Sequence, residues 1–419
     1  MSGNINKQQS VMKKRILMII IALSAVVFQS HAQGQGYYQR NQVRSKPKFV
    51  FLFIGDGMGH AQVAAAEAWL ATQEGKIGSE PLSFTKFPVM GMATTYSANS
   101  FVTCSSASGT ALSTGFKTNN GMLGVDPDLN KLESISYKIH EQGIPVGIMS
   151  DVTIDHATPA SFYANNESRS NYYDIASQLP RTGFEFFGGG EFAEPEGKEK
   201  DRENIYSVIE ESGYKILRGI DEFQKRDKSD KILFFQKEEG NSILPYAIDR
   251  EPGDLMLCQV VAAAIDHLYG TDGFFIMAEG GKIDWAGHSN DGKSNILEVL
   301  NLSAAVQVAY NFYERYPNET LIIVTADHET GGMTLGGPNG YVVDLKQLDP
   351  QKSSMASEKD STQFFQELNK KANLGWTTTG HTGVAVPVFA VGPGSRLFSG
   401  KMDNTEIPRK ILQAMGIEF

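Results

Sequence analysis

The chain has 419 residues, 41% hydrophobic and 21% charged, with a formal net charge of −10. That is ordinary globular composition, and the size allows one large α/β domain or two smaller ones. The acidic balance argues against nucleic acid or an anionic membrane as the main partner, so an anionic ligand must find its binding charge in local arginine or metal.

Met12-Lys13-Lys14-Arg15, the apolar run from Ile16 to Phe28, and Ser30-His31-Ala32 read as a secretory signal peptide. Residues 1–32 are thus a signal peptide with an upstream extension, and Met12 is a candidate start. The apolar run is shorter than the ~20 residues of a membrane span, so no stable span is expected. An exported protein follows, periplasmic or secreted. Losing Lys7, Lys13, Lys14 and Arg15 with the leader takes the net charge from −10 to −14. Residues 33–45, rich in Gly, Gln, Tyr and Arg, read as a mobile leader, leaving 46–419 for the folded domain.

Phe49 to Ile54 is an apolar run that predicts a strand buried on both faces, stopped at Gly55-Asp56-Gly57-Met58-Gly59. An acid at the carboxyl end of such a strand stands where open α/β sheets place ligands, although Asp56 alone fits a helix cap or an Asx turn as well. The glycines beside it leave room for a ligand to approach the backbone. A helix from Gln62 to Leu70 and a strand from Val89 to Ser97 follow. Further strands are expected at Pro145–Met149, Phe274–Met277, Leu321–Thr325 and Val386–Val391. Helical periodicity covers Ser134–Gln142, Ile205–Ser212, Asp254–Leu268 and Ile296–Tyr313. Strands alternating with helices predict an α/β fold, a three-layer α/β/α sandwich around a large, mostly parallel sheet. Gly188-Gly189-Gly190 and the charged stretch 194–203 read as a surface excursion. Residues 336–376 read as a small, less regular insertion near the sheet's functional edge. Cys104 and Cys258 make no disulfide framework, and Cys258 fits a buried core thiol.

Three polar clusters sit beside predicted strands. Glu279-Gly280-Gly281-Lys282-Ile283-Asp284-Trp285-Ala286-Gly287-His288 follows one, with Asp284 and His288 one helical turn apart. Thr325-Ala326-Asp327-His328-Glu329-Thr330 ends another, and Gly380-His381-Thr382-Gly383 precedes a third. Carboxylate with imidazole suits zinc, while carboxylate, hydroxyl and water suit magnesium. Each cluster alone also reads as a helix cap, a polar loop or a structural histidine. Together, and with Asp56, they point to metal. Ser105 falls where a loop enters a helix, whose free N–H groups favour an alkoxide or an anion, though serine is also an ordinary N-cap. No Gly-x-Ser-x-Gly elbow surrounds it, so a metal is the natural activator. Arg169 is able to hold two phosphate oxygens at once.

These motifs, with Gly115-Phe116-Lys117-Thr118 and His156-Ala157-Thr158-Pro159-Ala160, resemble the alkaline phosphatases in order and spacing from Lys48 to Pro393. The resemblance implies that 46–419 is a catalytic domain hydrolysing small phosphomonoesters to alcohol and inorganic phosphate, as a homodimer. It implies two zinc ions and one magnesium. Asp284, His288 and His381 match the ligands of the first zinc, and Asp56, Asp327 and His328 those of the second. Asp56, Thr158 and Glu279 match those of the magnesium. Ser105 matches the nucleophile that becomes a phosphoserine, and Arg169 the group that holds the phosphoryl oxygens.

Two departures stand out. Cys104 occupies a position where many members carry an Asp that helps hold the arginine, so a less restrained Arg169 is expected. His156 and Trp285 stand where some members carry an Asp and Lys pair. There His156 acts on the magnesium shell through water or competes for the metal. Diesterases and sulfatases share the zinc-ligand logic, but Cys104-Ser105-Ser106 lacks the Cys-x-Pro-x-Arg of a sulfatase. A non-catalytic phosphate- or metal-binding protein would lack a nucleophile or a ligand, and every one is present.

Overall fold

All seven residues of Phe49–Gly55 are buried, and they form the strand from which the site is built. The computed structural model describes residues 46–238, 242–270, 273–337, 340–358 and 361–419. The expected signal peptide, upstream extension and leader therefore lie outside the described residues. In chain order the strands are β1 (Phe49–Gly55), β2 (Val89–Thr94), β3 (Val146–Ser150), β4 (Phe186–Gly189), β5 (Tyr214–Arg218), β6 (Lys231–Phe235) and β7 (Phe274–Gly280). They continue with β8 (Thr320–Thr325), β9 (Glu329–Thr330), β10 (Met333–Leu335), β11 (Leu374–Trp376), β12 (His381–Thr382), β13 (Val386–Val391) and β14 (Gly400–Asp403).

Ten of these form one sheet in the order β14-β2-β13-β8-β1-β7-β3-β4-β6-β5. Neighbours run parallel except where β13 meets β2 and β8. The mostly parallel α/β architecture expected from the sequence is the one observed. Helices His60–Gln73, Leu257–Leu268 and Gly292–Arg315 pack together as one group, and Ser105–Thr114, Ile135–His140, Ala157–Ala160 and Glu406–Met415 as another. β1, β7 and β8 are apolar because a strand in the middle of such a sheet has no face toward water.

Gly188-Gly189-Gly190 is not part of a surface excursion. Gly188 and Gly189 end β4, and all three glycines are buried. Gly189 has φ of 104°, and a Cβ there would lie 1.8 Å from the Ser150 carbonyl oxygen, so only glycine lets β4 lie this close to β3. Residues 194–203 are largely exposed, as a charged stretch should be. Within 336–376 the chain forms the helix Thr362–Ala372, which buries Phe365, Leu368, Asn369 and Ala372 on one face. β10 and β11 pair antiparallel at the base of that segment, which packs against helix His60–Gln73. Both cysteines are free. Cys258 is half-buried against the core rather than enclosed by it, and burial pushes its thiol up. Among the described residues no helix is long and apolar enough to cross a membrane.

Candidate active site

β1, β7 and β8 lie side by side and in parallel, so their carboxyl ends deliver Asp56, Glu279 and Asp327 to one place. Gly57 makes that convergence possible. It has φ of +76°, and a Cβ there would lie 2.7 Å from the Asp284 Cα. A Cβ on Gly59 would meet the Glu329 Cγ at 2.3 Å. The glycines around Asp56 are thus filled by protein neighbours; they were expected to leave room for a ligand. The two-stranded pair β9–β12 sets His381 opposite Thr330 and Thr382 opposite Glu329, which brings the third cluster to the second.

Three groups of side chains result, each with its donor atoms within 4.8 Å of one another: Asp284, His288 and His381; Asp56, Asp327 and His328; and Asp56, His156 and Glu279. Thr158, fully buried on the short helix Ala157–Ala160, lies beside Glu279 of the last group. Asp56 Oδ1 and Oδ2, Glu279 Oε1, Asp327 Oδ2 and Thr158 Oγ1 are buried with no hydrogen-bond partner among the described residues. Atoms of this kind are rare in a folded interior unless something else satisfies them.

The histidine tautomers make the same point. His288 Nδ1 and His381 Nδ1 donate to the carbonyl oxygens of Thr379 and Thr103. Thr330 Oγ1 donates to Asp284 and accepts from His328 Nδ1. When neutral, each ring therefore turns its Nε2 lone pair inward. His288 Nε2 and His381 Nε2 lie 3.1 Å apart. His328 Nε2 lies 3.1 Å from Asp327 Oδ2 and 3.5 Å from Asp56 Oδ1. Lone pairs and carboxylates facing each other repel unless a cation joins them, so the residues fit divalent metal. His156 differs. Arg169 Nη2 donates to its Nε2 at 3.1 Å, which puts the proton of the neutral ring on Nδ1. Burial, then the Arg169 charge, lowers its pKa to about 3, so the ring is neutral. Trp285 packs edge-on against it, with ring centroids 5.9 Å apart.

Ser105 opens the helix Ser105–Thr114, and its Oγ lies 3.2 Å from His328 Nε2. Cys104 turns its sulfur to the Gly121 N–H and the Ser106 hydroxyl. Arg169 is half-buried and also donates its backbone N–H to the Gly121 carbonyl. Asp56, Glu279, Asp284, His288, Asp327, His328 and His381 come together here, with Ser105 against His328 and Arg169 against His156, whereas Lys117 of the Gly115-Phe116-Lys117-Thr118 motif pairs with Asp403 away from the groups.

The alkaline phosphatase family model matches residues 47–357 and 338–417. The chain belongs to the alkaline phosphatase family. It is 31% identical to alkaline phosphatase 3 of Bacillus subtilis (strain 168) over 95% of this chain and 96% of that one. Among solved structures, the cold-active alkaline phosphatase of a psychrophilic Shewanella sp. superposes with a TM-score of 0.78 at 30% identity, covering 88% of this chain and 99% of the other. That of the Antarctic bacterium TAB5 gives 0.72 at 30% identity, covering 89% and 100%. As an alkaline phosphatase the chain is a metal-dependent enzyme that hydrolyses phosphomonoesters.

Sequence reasoning missed several residues that hold the site. Glu329 accepts from Gln62 Nε2 at 2.6 Å, from the Gly332 and Met333 N–H groups and from the Thr382 hydroxyl, tying three segments together. Ser150 donates to Glu279 Oε2. Glu329 and Thr330 lie inside a motif already quoted, so their proximity to Asp327 and His328 was the available signal.

The crowded acids predict how metal removal acts. Burial, then the charges of Asp327, Asp284 and Glu279, raises Asp56 well above the usual carboxylate range. Burial raises Glu279 to about 8 and Asp327 to about 7. Asp284 goes the other way: burial pushes it up, but the His288 hydrogen bond and the nearby His328 hold it below the usual range. Asp56, Glu279 and Asp327 bind their protons more tightly folded than unfolded. Their contribution to stability is therefore full below the ordinary carboxylate range and is lost as pH rises through the raised values. Buried neutral His156 and His328 oppose this trend below the ordinary histidine range, so the comparison belongs above it: the metal-stripped enzyme should melt a few °C lower at about pH 8.5 than at about pH 6.5, and added divalent cation should reverse the drop. A flat melting profile across that window would show that these carboxylates do not crowd one another.

Proposed function

We propose that the enzyme passes the phosphoryl group of a monoester first to Ser105 and then to water, with two zinc ions and one magnesium in the three groups. The observation that carries this reading is the Ser105 hydroxyl, 3.2 Å from an inward-facing His328 Nε2 at a helix start. Asp284, His288 and His381 would hold the first zinc, and Asp56, Asp327 and His328 the second. Asp56, Thr158 and Glu279, all oxygen donors, would hold the magnesium. Bound there, such cations lower the pKa of a hydroxyl or water and neutralise charge on a leaving oxygen.

The chain's own groups do the rest. The first turn of the Ser105–Thr114 helix offers backbone N–H groups that favour an alkoxide on Ser105 and the negative phosphoryl group it attacks. Ser105 gives its hydroxyl proton to solvent, its oxygen bonds to phosphorus as the ester bond breaks, and the departing alcohol oxygen gains a proton from solvent. Water then attacks the phosphoserine, the phosphorus–Oγ bond breaks, and inorganic phosphate leaves with Ser105 restored. Arg169 holds two non-bridging oxygens through both steps. His156 supplies part of the restraint that Cys104 does not, because its Nε2 fixes the Arg169 guanidinium. His156 stands with Asp56 and Glu279, where it acts on the magnesium through water or competes for the metal.

A homodimer fits the exposed Met90 and Met92, which share one face of β2 and present apolar surface there. Export rests on the signal-peptide pattern at residues 12–32. Hydrolysis of a chromogenic phosphomonoester should stop when a chelator strips the metals, and return with Zn2+ and Mg2+ together. Full activity in protein holding less than one metal ion per chain would sink the reading.

A further inference from the structure

Asp151, Lys282 and Glu298 are each no more than 1% exposed, yet none belongs to the three cation groups. Burying three ionisable groups is costly, and hydrophobic residues of similar size would normally pack as well or better. Their contacts suggest what they do. β3 and β7 pair with Ser150 opposite Glu279. The next residue, Asp151, donates its N–H to the Glu279 carbonyl at 3.3 Å and accepts the Gly281 N–H on Oδ1 at 2.7 Å. It thus grips the chain on both sides of Gly280. Ser150 meanwhile fixes the Glu279 carboxylate.

Lys282 is the first residue of the helix Lys282–His288, which carries Asp284 and His288. Its Nζ donates to the carbonyls of Leu244 and Pro245 at 2.9 and 2.7 Å. The same Nζ lies 3.7 Å from Asp151 Oδ2 and 4.0 Å from Glu298 Oε2. Glu298 accepts from the Ala247 N–H at 2.6 Å, and Asn301 Nδ2 bridges Glu298 and Asp151 at 3.2 and 3.3 Å. There is no slack between the anchors, since a Cβ on Gly281 would lie 2.6 Å from Val152 Cγ2. The stretch from Glu279 to His288 supplies acids to two different cation groups, and this network pins its middle. Directional bonds to charged groups hold such a stretch in one register, which apolar packing does less well.

We propose that Asp151, Lys282 and Glu298 are positioning residues that set the spacing of Glu279 from Asp284 and thereby the affinity of the Asp56–Thr158–Glu279 group for its divalent cation. This rests on the metal assignment proposed above.

The test is Mg2+ binding to zinc-loaded enzyme by equilibrium dialysis, with zinc content and unfolding midpoint measured alongside. The charge-balanced pair Asp151→Asn with Lys282→Met should weaken Mg2+ binding about 10- to 100-fold while zinc content stays at the wild-type level. Asp151→Asn alone, the milder change, should weaken it about tenfold and serves if the pair fails to fold. Mg2+ affinity within about threefold of wild type in a folded variant would overturn the proposal. Glu279→Gln is the control. If it leaves Mg2+ binding intact, the metal assignment falls and this inference with it. If it abolishes binding while the Asp151 variants bind as wild type, only the positioning role falls.

Discussion

Replacing Ser105 with alanine should lower kcat/KM for a chromogenic phosphomonoester by at least about 10⁴-fold, with zinc and magnesium content unchanged. The loss is expected to be that large because the two serines next along the same helix are already engaged. Ser108 donates to the Asp327 carbonyl at 2.7 Å and accepts from Asn404, and Ser106 faces the Cys104 sulfur. Stability should hardly change. Among the described residues Ser105 Oγ hydrogen-bonds to His328 Nε2, and losing a hydrogen bond of this kind costs about 1 kcal/mol. Mass spectrometry of acid-quenched enzyme should find phosphate on wild-type Ser105 and none on the variant. Activity within about tenfold of wild type would mean that phosphate goes directly to water.

The parts of the fold legible in the sequence are those where burial leaves its mark on consecutive residues. The strands predicted at Phe49–Ile54, Leu321–Thr325 and Val386–Val391 match the observed ones to within one residue at each end. β4 escaped because Phe-Phe-Gly-Gly reads as a turn, and only the position of Ser150 on β3 explains why those glycines are needed. The helix Thr362–Ala372 was in principle readable, since Phe365, Leu368 and Ala372 fall on one face, but polar and charged neighbours masked the pattern. The site divides in the same way. Donor residues occur in short local motifs beside apolar strands and could be found by reading along the chain. What fixes their chemistry could not. The tautomer of His381 depends on a carbonyl 278 positions away, that of His288 on one 91 away, and the Glu279 carboxylate on a hydroxyl 129 away. A single sequence gives no pairing over such distances.

Asp56→Ala should remove two metals at once. Asp56 is the one acid shared by two of the three groups, and it is absent from the group of Asp284, His288 and His381. Both of its oxygens are buried and unpartnered among the described residues, as a carboxylate facing two cations would be. Without it the second zinc and the magnesium should bind weakly, while the first zinc stays. After dialysis the variant should keep about one metal ion per chain, and kcat/KM should fall by at least about 10³-fold, since a cation beside Ser105 is lost. Stability should move in opposite directions with and without metal. Burial and three neighbouring carboxylates raise the Asp56 pKa, so at alkaline pH its charge destabilises the metal-free fold. The metal-free variant should therefore melt above the metal-free wild type at about pH 8, and the metal-loaded variant below the metal-loaded wild type. Loss of a single metal, or a metal-free variant that melts lower than wild type, would show that Asp56 does not join the two cation positions.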